Sequence, residues 1–100
     1  MEPEGLTNSE QQLRKQIEFY FSDANLLTDK HLVKKIQSSQ KSWMPLSYLT
    51  RCNKVRNILL GMDLRIRSWR RRIRKVLKDS TLLKIKNQKV KRRRPFKCKR

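Results

Sequence analysis

The sequence predicts an α+β domain that is mostly α, and three observations lead there. Apolar residues recur at three- and four-residue spacing through most of the chain, apolar and basic residues alternate only near its end, and the two glycines, Gly5 and Gly61, leave long stretches uninterrupted. One hundred residues suffice for one modest core and are too few for two.

Residues 1–8 carry Pro3, Gly5 and two glutamates and read as a disordered lead-in, with Asn8 or Ser9 as a helix N-cap. From Gln11 to Phe21, the apolar residues Leu13, Ile17, Tyr20 and Phe21 fall on one helical face. Ser22, Asp23 and Asn25 break that helix as a polar turn. Thr28 or Asp29 can cap a second, short helix carrying His31, Leu32, Val33 and Ile36. Residues 37–42 are loop-like, Trp43-Met44 suits a brief strand, and Pro45 suits the first turn of a third helix running from Leu46 to Ile58. After a connection at Gly61, the residues Leu64, Ile66, Trp69, Ile73, Val76 and Leu77 outline a helix whose other positions are nearly all Arg or Lys. The stretches 82–85 and 89–91 alternate apolar with basic residues around Lys86-Asn87-Gln88 and read as a hairpin. Helices followed by such a hairpin predict a winged helix-turn-helix with a small C-terminal β-hairpin wing over residues 9–91. The basic stretch 92–100 is expected to be a flexible tail.

Charge narrows the partner. Twenty-seven Lys and Arg stand against eight Asp and Glu, a formal net charge of +19 with a pI near 11.1. Such a surface repels itself and is neutralised by a polyanion, with salt-sensitive affinity. No apolar run approaches the roughly 18 residues that cross a bilayer, and the first residues lack the pattern of a secretory leader, so a soluble, intracellular protein without a membrane partner is expected. Cys52 and Cys98 lie far apart with a single histidine, too few ligands for zinc and too few cysteines for a disulfide framework, so both read as free thiols. Neither a phosphate-cradling glycine loop nor a catalytic Cys/His or paired-carboxylate arrangement is evident; Asp63 and Asp79 are isolated among bases. A non-catalytic protein without cofactor or metal is expected.

The segment QIEFYFSDANLLTDKHL (Gln16 to Leu32), followed by WMPLSYLTRCNKVRNI (Trp43 to Ile58), resembles the signature of the La-motif family of RNA-binding domains. The later stretch from Ser68 to Pro95 is similar to that family's last helix and wing. The resemblance implies capture of the 3′-hydroxyl end of uridine-rich single-stranded RNA in a cleft beside the first helices. On the matching positions, Gln16 corresponds to a base-reading glutamine, Asp29 to the aspartate that holds the terminal ribose, and Phe19 and Tyr20 to an aromatic pair. A carboxylate can accept both ribose hydroxyls and repel a 3′-phosphate, while a primary amide matches a uracil edge. Two departures stand out: His31 and Cys52 occupy places where the family usually has aromatics, which leaves stacking less well supplied and predicts weaker affinity or relaxed uridine preference.

Other roles compete at several of these positions. Asn25 suits a structural turn as well as base contact, Asp23 reads as structural first, Asp29 can be a plain N-cap, and Phe21, Trp43 and Trp69 read as core. Arg70, Arg71 and Arg74, with Lys91 and Arg92, are candidate phosphate contacts, because a solvated helix face with so few acidic neighbours is poorly compensated. The basic tail tilts localisation toward the nucleus. A monomer acting on small RNAs, with an adjacent RNA-recognition domain or a ribonucleoprotein partner, completes the expectation. The rival is a winged-helix DNA-binding or ribonucleoprotein-assembly module acting by charge, with Arg51, Lys54 and Arg56 of the third helix in a major groove.

Overall fold

The first helix begins at Asn8, one residue before the earliest start that a cap at Asn8 would allow, because Thr7 and Glu10 close a capping box. In the computed structural model, which describes residues 6–94, the Thr7 hydroxyl accepts from the Glu10 amide (3.1 Å) and Glu10 Oε1 accepts from the Thr7 amide (3.0 Å). Thr7, not Asn8 or Ser9, is therefore the N-cap of α1 (Asn8–Tyr20). Of the expected lead-in and tail, residues 1–5 and 95–100 lie outside the described residues, and Cys98 with them.

The segment read as a polar turn is a one-turn helix, α2 (Asp23–Leu26), capped by Ser22, whose hydroxyl accepts from the Asn25 amide at 3.2 Å. Asp29 caps α3 (Lys30–Ser38). A 3-10 turn (Gln40–Ser42), with Lys41 and Ser42 at positive φ, leads into the two-residue strand β1 (Met44–Pro45). The expected helix from Leu46 to Ile58 is in fact two, α4 (Leu46–Leu49) and α5 (Asn53–Gly61). Burial explains the break: Leu49 and Val55 are both fully buried, yet six residues on a straight helix set them about 120° apart. Extended backbone at Cys52 resets the phase so that both face the core. Gly61 ends α5 rather than lying beyond it.

The basic helix is also shorter than expected. Asp63 adopts a left-handed conformation and Arg65 an extended one, so the chain reaches a 3-10 turn (Ile66–Ser68) without helical phase, and Ile66 is 73% exposed. Only α6 (Trp69–Leu77) keeps the periodicity, burying Trp69, Ile73, Val76 and Leu77. The wing follows as β2 (Leu83–Lys86) and β3 (Lys89–Arg92), joined by Asn87-Gln88, with Asn87 at φ 56°, a conformation asparagine tolerates. A two-stranded hairpin alone is marginal, and here β1 adds a third antiparallel strand in the order β1-β3-β2. Val90 thus pairs with Met44 on one side and Ile85 on the other. The Leu46 amide donates to the Gln88 carbonyl (2.8 Å), pinning the wing's turn to the start of α4.

Leu13 and Ile17 of α1 lie at the centre of the core, with Leu59 of α5, Ile73 and Val76 of α6, and Val90 of the wing. Burying each such side chain contributes about 1.5–3 kcal/mol. The result is the α+β winged-helix architecture the patterning predicts. Trp69 is buried as expected, but Trp43 is only half-buried, because it precedes a strand at the edge of the sheet rather than sitting beneath it. Among the described residues, no helix is long and apolar enough to cross a membrane, and no cluster of His, Cys, Asp and Glu could hold a metal ion.

Candidate nucleic-acid interface

Local chain chemistry brings Phe19, Tyr20, Asn25 and Asp29 together. Because Leu13 and Ile17 turn α1 toward the core, Gln16 remains partly exposed and the helix end presents Phe19, 49% exposed, beside half-buried Tyr20. Their ring centroids are 6.5 Å apart at 49°. Phe21, 3% exposed, anchors the helix end in the core. Asn25 Nδ2 donates to the Tyr20 carbonyl (2.8 Å) and reaches Asp29 Oδ2 at 3.4 Å, so one amide ties the end of α1 to the start of α3. Asn25 thereby fills the structural role weighed for it. Asp29 Oδ1 accepts from the Leu32 amide at 3.0 Å. A carboxylate has about four acceptor positions, and these two bonds leave about two for a ligand.

The α4–α5 break completes the site. It places Tyr48 and Cys52 in the electrostatic neighbourhood of Tyr20 and Asp29. Burial, with the neighbouring Cys52 and Asp29, pushes the Tyr20 hydroxyl up, against an opposing backbone hydrogen bond from Lys54. Burial, Cys52 and Asp29 likewise push the Tyr48 hydroxyl up. Burial first, and Asp29 second, raise the Cys52 thiol to about 11, and its Sγ lies 3.6 Å from the Tyr48 carbonyl. Two phenols and a thiol therefore stay neutral at pH 7 around one carboxylate. Lys35 adds a cation whose Nζ sits 5.9 Å from the Tyr48 ring centroid. The arrangement can accept hydroxyl hydrogens at Asp29, donate from phenols, and offer the exposed Phe19 ring to a base.

Tyr48 and Lys35 were not singled out from the sequence. Tyr48 looks there like one apolar member of a continuous helix, and only its phenolic oxygen hints at a site. Lys35 has no distinguishing signal among so many lysines. His31 is exposed in the first turn of α3, two residues from Asp29.

The predicted phosphate contacts divide. Arg70, Arg71 and Arg74 are exposed on α6. Lys91 Nζ stands 5.0 Å over the Trp43 ring. Arg92 forms an ion pair with Asp23 at 2.9 Å, between the wing and α2. The third-helix surface that the DNA-binding rival needs is interrupted between Leu49 and Asn53, and Arg51 lies in the break, apart from Lys54 and Arg56 on α5.

Comparison with known proteins bears on the same elements. The family model for the La domain matches residues 13–79, from α1 through the residues just after α6. The chain is 44% identical over 45 residues to a La protein homolog of Drosophila melanogaster, covering 45% of this chain and 12% of that protein. It is 27% identical to La-related protein 7 of Danio rerio, covering 84% of this chain and 14% of the relative, and 32% identical to La-related protein 6A of Arabidopsis thaliana, covering 86% and 19%. The chain thus spans less than a fifth of the length of each of these relatives. A match that runs through every helix of a winged-helix fold, joined to the signature segments that meet around Asp29, establishes that this chain belongs to the La-domain family.

Proposed function

We propose that the chain captures the 3′-hydroxyl end of single-stranded, uridine-rich RNA in the cleft between the end of α1, the start of α3 and the α4–α5 break. Family membership supports an RNA-binding role. The observation that carries the finer reading is the Asp29 carboxylate, oriented by the Leu32 and Asn25 amides and bordered by neutral polar side chains. A terminal ribose offers two adjacent hydroxyl hydrogens to such a group, whereas a 2′-deoxyribose offers one and a 3′-phosphate brings like charge. Gln16 reads a uracil edge and Phe19 and Tyr20 supply the aromatic surface. The use of such capture is end protection or chaperoning of small RNAs, in the nucleus, with an adjacent RNA-recognition domain or ribonucleoprotein partner sharing the RNA.

The test is a fluorescence-anisotropy titration at moderate salt with five-nucleotide oligouridine ending in a 3′-hydroxyl or a 3′-phosphate. Wild type is expected to prefer the hydroxyl about tenfold or more, the size of one or two charge-assisted hydrogen bonds. Asp29→Asn keeps an oxygen able to cap α3 but removes the charge, so it is expected to fold and lose the preference. Equal binding of both ends by folded wild type, with affinity set by salt alone, overturns the reading in favour of association by charge.

A further inference from the structure

A second surface lies outside that cleft. The tertiary fold sets α6 against the wing and leaves an open groove of about 830 Å³ between them. Arg71, Arg74, Lys75 and Lys78 line one wall, at the three- and four-residue spacing that keeps them on one helical face. Lys84, Lys86 and Arg93 line the other, the two lysines sharing a face of edge strand β2. Among the described residues no acidic side chain lines the groove, and the rest of its lining comes from Trp43 and Ile85. Of the seven cations, only Lys75 forms an ion pair among the described residues, to Glu10 at 3.1 Å. Folding thus places seven positive charges face to face with almost no internal compensation, an arrangement that repels itself until an anion enters.

We propose that this groove is a second RNA site, a clamp for internal phosphates that works without reading bases; it rests on the RNA-binding reading above. A run of phosphates matches the groove because cations approach from both walls. Base readout is not supplied: among the described residues Trp43 is the one aromatic side chain in the lining, it is half-buried, and the Lys91 ammonium stands over its ring. The two sites divide the work. The cleft holds an end, and the groove holds the length of chain behind it.

The experiment uses a twenty-nucleotide oligouridine carrying a 3′-phosphate, so that end capture does not contribute, titrated from 0.05 to 0.4 M salt. The triple variant Arg74→Gln/Lys84→Gln/Lys86→Gln is compared with the charge-matched Lys34→Gln/Arg65→Gln/Arg67→Gln, whose residues are exposed outside the groove. At about 0.7 per phosphate contact on a single strand, losing three contacts lowers the magnitude of the log–log salt slope by about 2, or about a hundredfold in affinity at 0.1 M salt when referred to 1 M. That loss is expected for the groove variant alone, with circular dichroism unchanged and five-nucleotide 3′-hydroxyl binding retained. Equal losses in the two triples, or no loss in the groove variant, overturn the assignment. So does a preference for oligouridine over oligocytidine beyond about threefold in this 3′-phosphate format. Failure of end capture would appear instead as the absence of 3′-hydroxyl preference in wild type, leaving the groove comparison intact.

Discussion

Replacing Glu10 by glutamine tests how the helical body is held together. Glu10 is 1% exposed, and its carboxylate accepts from the Thr7 amide while meeting Arg72 and Lys75 of α6. Burial alone pushes its carboxyl up, but the Thr7 amide, Arg72 and Lys75 outweigh this and hold it at about 2, against an ordinary 4.5. A native value below the unfolded one means that the ionised form stabilises the fold: the contribution is complete above pH 4.5, shrinks as pH falls and is gone below about pH 2. That gap corresponds to about 3 kcal/mol. Because Arg72 and Lys75 are 31% and 53% exposed, solvent screening reduces the expected figure to about 2 kcal/mol. Glu10→Gln keeps an oxygen for the Thr7 cap and removes only the charge. Urea denaturation followed by circular dichroism, at fixed ionic strength, should show the variant about 2 kcal/mol less stable at pH 7, with the difference closing toward pH 2. A variant within about 0.5 kcal/mol of wild type at pH 7, or a gap as wide at pH 2.5 as at pH 7, would refute the reasoning.

Further expectations follow from the cleft and the core. With its thiol raised to about 11, Cys52 should react with iodoacetamide at pH 8 about a hundredfold more slowly than an unperturbed cysteine in a Cys98→Ser background, with the rate still climbing at pH 10; a rate within tenfold at pH 8 contradicts the burial. Cys52→Phe adds an aromatic surface beside Tyr48 and should tighten oligouridine binding severalfold by anisotropy; no gain means that Cys52 does not limit stacking. Ile17→Ala, at a fully buried position of α1, should cost about 2–4 kcal/mol in denaturant titration, whereas Leu60→Ala, 51% exposed on α5, should stay within about 0.5 kcal/mol.

Much of this was legible because local rules and tertiary needs agree. Leu13 and Ile17, Ile73 and Val76, and Leu83 and Val90 follow their periodicities because each face has one solvent side and one core side. Asp29 is legible as a cap and as a candidate ligand because both roles need a short carboxylate at a helix start. The cap at Thr7 was not read from the sequence, where Asn8 and Ser9 were the expected caps; what favours Thr7 is a distant interaction, because its Glu10 partner is seated against Arg72 and Lys75, more than sixty residues away. The break between Leu49 and Asn53 carries no strong local signal, since no glycine or proline marks it and Thr50 to Cys52 are unremarkable. It arises because two apolar sets out of phase must reach one core.

The winged-helix class, the succession of its longer helices and the wing, the net charge of +19 and the family, through its signature segments, can all be read from the chain. All of these depend on residue types and spacings along the chain. What depends on tertiary structure is that Tyr48 and Cys52 join Asp29, that Arg92 of the wing meets Asp23 of α2, and that α6 and the wing close into one cationic groove. These are matters of which distant surfaces meet. Composition can count the charges, but only packing determines which of them face one another.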